Sequence, residues 1–113
     1  MRRYLLSALL VVALAVPAIA VAADLKSSQL GSGCPTGDVG TYHFVNNQVP
    51  AGSPTGTLTF SFTGGASGSV GAYMVLKSVQ HFSVSSTGSI ASASTNLGGN
   101  LVLSDFSCKK KRG

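Results

Sequence analysis

Apolar and polar residues alternate along much of the chain after residue 40. In the clearest stretch, residues 57–63 (TLTFSFT), Leu58, Phe60 and Phe62 fall on one side and hydroxyl residues fall on the other. A period of two with aromatic and β-branched residues is typical of a half-buried strand. The pattern therefore predicts a strand that turns these three apolar side chains toward a core.

A second strand is predicted at residues 69–76, where Val70, Ala72, Met74 and Leu76 share one face. The glycine-rich residues 64–68 between the two stretches cannot continue a strand and predict a turn, so the pair is expected to form a hairpin. Further strands are predicted at residues 42–46, 79–85, 89–95 and 100–107. Because only Lys77 and Ser78 separate 69–76 from 79–85, one long bent strand that changes sheets is an alternative.

The last predicted strand breaks the alternation. Leu101, Val102 and Leu103 are apolar on both faces, which indicates a strand covered on both sides or a local bulge. No amphipathic helix is predicted after residue 23, because Gly, Ser and Thr disfavour helix throughout. Short strands at this spacing predict an all-β fold, a small antiparallel β-sandwich of about six or seven strands over residues 40–108. Residues 24–39 are rich in Ser, Gly and Pro and are expected to be a flexible entry segment.

Residues 1–23 have the organisation of a helical secretory signal peptide. Arg2 and Arg3 precede an apolar run to residue 19, and both residues 18–20 (AIA) and 21–23 (VAA) offer the small side chains that a signal peptidase accepts. Cleavage after Ala23 is favoured, because Asp24 begins the polar region. An uncleaved membrane anchor is the alternative, although the run is short for a bilayer span. The chain is therefore predicted to be secreted or associated with the cell surface, with no membrane span after cleavage.

Charge is concentrated at the two ends of the chain. Between residues 24 and 108 only Lys26 and Lys77 oppose three aspartates, so the formal net charge of +5 belongs to the termini. A nucleic-acid interface needs basic residues spread over one face, and none is predicted. The basic tail, residues 109–113, carries Lys109, Lys110, Lys111 and Arg112. The tail is either a solvated end or a weak, salt-sensitive contact for an anionic envelope surface or polymer.

The two cysteines flank the predicted strands. Cys34 precedes the first strand and Cys108 ends the last, so a disulfide between them would enclose nearly the whole folded unit. An exported chain meets oxidising conditions, and two cysteines without nearby His or acidic ligands make a poor zinc site. The sequence therefore predicts a Cys34–Cys108 disulfide. A metal pair and free thiols are the alternatives.

The sequence contains no recognisable catalytic or cofactor motif. It lacks the G-x-S-x-G pattern of serine hydrolases, and no glycine-rich loop lies between a strand and a helix to hold phosphate. His43 and His81 each precede a Phe and are expected to face solvent. If their strands were neighbours they could meet, but two imidazoles without a carboxylate make a weak metal site. The prediction is therefore no enzyme activity, no cofactor and no metal.

Four stretches together resemble a known kind of module: residues 40–48 (GTYHFVNNQ), 80–84 (QHFSV), 93–97 (ASTNL) and 101–108 (LVLSDFSC). They are similar to small cysteine-bounded β modules of predicted secreted bacterial surface proteins, found alongside immunoglobulin-like or prealbumin-like repeats. The resemblance covers about residues 34–108. It implies export, a β-sandwich and the terminal disulfide, and it implies no active site. Unlike an immunoglobulin domain, the chain has no Trp to pack on a central disulfide.

These observations predict a secreted bacterial β-sandwich module with a binding or structural role at the cell surface. They name no ligand. The alternative function is a diffusible cationic effector, an antimicrobial or inhibitory peptide. The basic tail and small size favour the effector, whereas the nearly neutral, hydroxyl-rich body favours the surface module.

Overall fold

The computed structural model of the chain describes residues 22–111 as two antiparallel sheets of four strands each. The first sheet has the strand order β1-β7-β3-β4 and the second sheet has the order β5-β6-β2-β8. The strands are β1 (Ala23–Asp24), β2 (Val39–Asn47), β3 (Thr57–Thr63), β4 (Ser67–Gly71), β5 (Met74–Val75), β6 (Gln80–Ser86), β7 (Ser89–Thr95) and β8 (Asn100–Lys109), with a 3-10 turn at Ser27–Gln29. The predicted all-β sandwich is confirmed, with two further strands of only two residues each.

The core lies between the two sheets and is rich in aromatic residues. Tyr42, Phe44, Phe82 and Leu58 are fully buried, and the ring centroids of Tyr42 and Phe62 lie 4.8 Å apart across the sandwich. In β3 the inward and outward faces are those that the alternation predicts, because Leu58, Phe60 and Phe62 are buried while the threonines between and beside them are exposed.

The predicted strand 69–76 is divided between the sheets. Residues 67–71 form β4 and pair with β3, as the hairpin prediction requires, but the chain then crosses to the second sheet and β5 pairs with β6. Met74 and Leu76 were predicted to share one face with Val70 and Ala72, but Val70 and Ala72 pack against the core whereas Met74 and Leu76 are 44% and 53% exposed. The crossing resets which side chains face inward, so the alternation counted from Val70 does not extend past Ala72.

A bulge in β8 accounts for its unusual apolar pattern. Phe44 pairs with Leu103 whereas His43 pairs with Asp105, so Ser104 is an extra residue in β8. In a regular strand without the bulge, Asp105 would share the inward face of Leu101 and Leu103, because side chains alternate with a period of two. The bulge turns Asp105 outward, and Phe106 instead lies against Tyr42, with ring centroids 5.1 Å apart.

The segment that precedes β2 is packed against the sandwich, in contrast to the flexible entry segment that was expected for residues 24–39. Leu25 is buried and belongs to the core cluster. The Gln29 side chain makes two hydrogen bonds to the backbone of Leu103, donating through Nε2 at 2.9 Å and accepting at Oε1 from the amide at 2.8 Å. Because β8 is an edge strand, Gln29 occupies backbone groups that a neighbouring strand would otherwise pair.

The structure also bears on the boundary of the predicted signal peptide. Ala23 is 5% exposed and pairs with Thr95 in the first sheet, so it is part of the folded unit. Most of the predicted leader, residues 1–21, lies outside the described residues. Within residues 22–111 there is no helix long and apolar enough to cross a bilayer.

Candidate functional site

His43 and His81 lie together on the outer face of the second sheet. Their strands β2 and β6 are neighbours, and Val45 pairs with His81, which places the two histidines on a diagonal of the ladder. Long side chains on such a diagonal are within reach of one another. Both residues are half-buried, and Nε2 of His43 lies 2.8 Å from Nδ1 of His81.

The two imidazoles meet end to end. Their planes differ by 15° and their centroids are 5.1 Å apart. That separation is close to the 2.8 Å nitrogen distance plus the distance from each nitrogen to its own ring centre, so the contact runs along the ring planes. The geometry is that of a hydrogen bond between rings and differs from a face-to-face stack.

Asp105 extends the pair into a chain of three side chains. Its Oδ2 atom lies 3.3 Å from Nδ1 of His43, on the opposite side of the ring from His81. A carboxylate oxygen accepts, so Nδ1 of His43 donates, and in a neutral ring Nε2 then accepts from Nδ1 of His81. The bulge at Ser104 is what places Asp105 opposite His43.

An exposed apolar edge adjoins this histidine cluster. Tyr73 lies beside both imidazoles, with ring centroids 6.2 Å from His43 and 6.0 Å from His81, and its amide donates to the His81 carbonyl. Tyr73, Met74, Val75 and Leu76 are each at least 44% exposed and form a continuous apolar run at the edge of the second sheet. Exposed apolar edges of this kind are characteristic of contact surfaces.

The sequence anticipated part of this site. The placement of both histidines opposite their neighbouring Phe residues is confirmed, and their strands are neighbours. The contact of Asp105 with His43 was missed, because it depends on the bulge in β8. The apolar run Leu101-Val102-Leu103 was the signal in the sequence that could have indicated the bulge. Asp105 and His43 resemble two members of a hydrolytic triad, but Nε2 of His43 faces an imidazole where a triad has a hydroxyl. Among residues 22–111, no group of three or more His, Cys, Asp or Glu is placed to hold a metal ion.

The predicted disulfide is confirmed. Cys34 and Cys108 are joined with an S–S distance of 2.06 Å and a Cα–Cα distance of 5.7 Å, across a sequence separation of 74 residues. The bond links the segment that precedes β2 to the end of β8. The hydroxyl of Tyr42 lies 3.8 Å from the Cys34 sulfur and donates to the Gly88 carbonyl at 3.3 Å, so the disulfide adjoins the core.

The basic tail begins inside β8. Lys109 pairs with Val39 and is the last residue of the strand, and Lys110 and Lys111 follow it, all three exposed. Arg112 lies outside the described residues. In the described part of the chain the acid in contact with a basic side chain is Asp105, which contacts His43, so none of the three lysines is paired with an acid there.

Two shallow grooves lie elsewhere on the sandwich. One, of about 280 Å³, lies beside β1 and β7 and is lined by Leu25 and Leu30 with small residues of β7. The other, of about 320 Å³, lies at the disulfide end between Thr36 and the β3–β4 and β6–β7 turns. Neither groove is lined by the histidine cluster or by the lysines of the tail.

Comparison with known proteins adds no relative: no protein-family model, no curated protein and no solved structure matches the chain.

Proposed function

We propose that the chain is an exported β-sandwich module that has a binding or structural role at the cell surface, where its basic tail holds it near an anionic envelope. The observation that carries the proposal is the position of Lys109, Lys110 and Lys111. They are exposed, are not paired with an acid among the described residues, and lie directly beyond the disulfide. The nearly neutral body offers no competing basic surface.

The disulfide gives this tail a fixed point of exit from the sandwich. Because Cys108 is bonded to Cys34, the cations leave the folded unit at one place and remain accessible to a flat anionic surface. Basic residues near an anionic membrane contribute about 1 kcal/mol each, and the attraction is lost when salt shortens the screening length. Three cations would therefore retain the module by about 3 kcal/mol, roughly a hundredfold in partitioning.

The tail is tested with a variant that removes its charge and keeps its length. Lys110→Gln, Lys111→Gln and Arg112→Gln together leave Lys109 in β8 and should leave the melting temperature unchanged. At low salt this triple variant should lose most of its co-sedimentation with vesicles of anionic lipid and most of its association with cells. Equal partitioning of the variant and the parent protein would refute the tethering role. Growth inhibition of other cells by the parent protein would instead support the diffusible effector.

Export is tested by the mass of the mature protein. Because Ala23 is a buried residue of β1, we expect cleavage after Ala20, which retains it, where the sequence pattern alone favoured cleavage after Ala23. The intact mass of the exported protein should then match residues 21–113 with one disulfide. A mass matching residues 24–113 would place the boundary after Ala23, and a full-length product in the membrane fraction would contradict export of the cleaved module.

A further inference from the structure

The facing nitrogens of the histidine cluster have the separation that two ligands of one metal ion require. Imidazole nitrogens bind first-row divalent ions at about 2.0–2.1 Å, so two ligands in adjacent positions lie about 2.8–3.4 Å apart. Nε2 of His43 and Nδ1 of His81 are 2.8 Å apart. Both residues belong to adjacent strands of one sheet, so the two nitrogens are brought to this separation before any ion binds, and only the ring directions change on binding.

Asp105 supplies the second feature of such a site. A histidine that binds a metal through one nitrogen usually donates its other N–H to a carboxylate or carbonyl, which fixes the tautomer and the ring direction. Asp105 Oδ2 lies 3.3 Å from Nδ1 of His43, so the nitrogen that faces His81 is the one left with a lone pair. The bulge at Ser104 sets the register that places Asp105 opposite His43, so the backbone fixes which residue can make this contact.

We propose that His43 and His81 form a two-histidine Cu²⁺ site on the outer face of the second sheet, with Asp105 as the residue that positions His43. Cu²⁺ is favoured because it has the highest affinity among first-row divalent ions and accepts square-planar nitrogen and oxygen ligands. Water completes the coordination, since the cluster is half-exposed and the described chain offers no third ligand.

Binding replaces the hydrogen bond between the rings. His81 transfers its proton from Nδ1 to Nε2, so it stays neutral while both facing nitrogens present lone pairs. In the metal-free structure the rings meet end to end. When the ion binds, each ring turns to direct its lone pair at the ion. This proposal goes beyond the surface role proposed above and stands independently of it, because it involves neither the tail nor export.

The site is tested on the disulfide-bonded protein by titration with Cu²⁺ in a buffer that does not bind the ion. The EPR spectrum of the bound ion should show two imidazole nitrogens. His43→Gln and His81→Gln should each weaken binding at least tenfold, and the double variant should show no imidazole coupling. All three variants should keep the fold, because both side chains lie on the outer face, and their far-UV circular dichroism checks this.

Two matched variants separate a built site from incidental binding. Asp105→Asn should keep two nitrogens on the ion and weaken binding by about ten- to a hundredfold, as loss of an outer hydrogen-bond partner does at known sites. Ser83→Ala, at an exposed position opposite His43, should change nothing. If the double glutamine variant binds Cu²⁺ within threefold of the parent protein, the site is refuted. Unchanged affinity in Asp105→Asn would refute the positioning role.

Discussion

At the scale of single residues, Tyr42 contacts both sheets and the turn between β6 and β7. Its ring contacts Phe62 of the first sheet and lies parallel to Phe106 of β8, while its hydroxyl bonds to the β6–β7 turn. The ring also lies over Gly40, two residues earlier in the same strand. A Cβ atom at Gly40 would come within 2.6 Å of the tyrosine ring, so this contact requires glycine.

Gly40→Ala is therefore expected to destabilise the protein. The ring cannot move aside, because Tyr42 is fully buried among packed neighbours. Overpacking of this kind costs about 1–3 kcal/mol, measured as the free energy of unfolding in denaturant. Thr41→Ala is the control, since Thr41 is exposed and its replacement should change stability by less than about 0.5 kcal/mol. Equal stability of the two variants would show that the ring can leave Gly40 at no cost.

At the scale of elements, the edges of the second sheet are treated differently. Gln29 reaches β8 from the 3-10 turn and satisfies both backbone groups of Leu103, whereas β5 presents an exposed apolar run. An edge strand with free backbone groups invites pairing with other chains, and proteins commonly cover or interrupt it. The N-terminal segment therefore protects one edge of this sheet and leaves the other available for contact.

Gln29→Ala should lower the free energy of unfolding by about 1–3 kcal/mol, because two hydrogen bonds are lost. Gln29→Glu keeps the side-chain shape but places an oxygen against the Leu103 carbonyl, so at pH 7 it should be no more stable than the alanine variant. Protonation restores a donor, so the glutamate deficit should shrink as the pH falls toward about 4. Denaturant unfolding at both pH values checks this. A deficit independent of pH would show that Nε2 does not bond to Leu103.

The elements also show what the sequence could predict and why the rest was out of reach. The alternation in β3 sufficed because that strand is regular and half-buried throughout. It failed after Ala72, since a period of two does not reveal a crossing between sheets. The bulge was one of two interpretations of Leu101-Val102-Leu103, and the partner of Asp105 depends on a register that only the folded ladder defines. Gln29 was missed because a single polar side chain carries no periodic signal.

At the scale of the whole molecule, the disulfide closes a unit with a small core. About 90 residues imply a free energy of unfolding of roughly 5–13 kcal/mol, so the contribution of a single disulfide is a large fraction of the total. The bond joins residues 74 apart, and the chain it closes contains all of the strands from β2 to β7 and nearly all of β8. It therefore restricts the unfolded chain more than a bond across one hairpin would.

Replacing both cysteines, Cys34→Ser with Cys108→Ser, should lower the free energy of unfolding by about 4 kcal/mol, because closing a loop of this length removes that much entropy from the unfolded state. For a domain of this size the melting temperature should fall by about 15–30 °C. Reductant should lower the melting temperature of the parent protein to that of the double variant and leave the variant unchanged. If the two proteins melt together without reductant, the stability comes from the aromatic core alone.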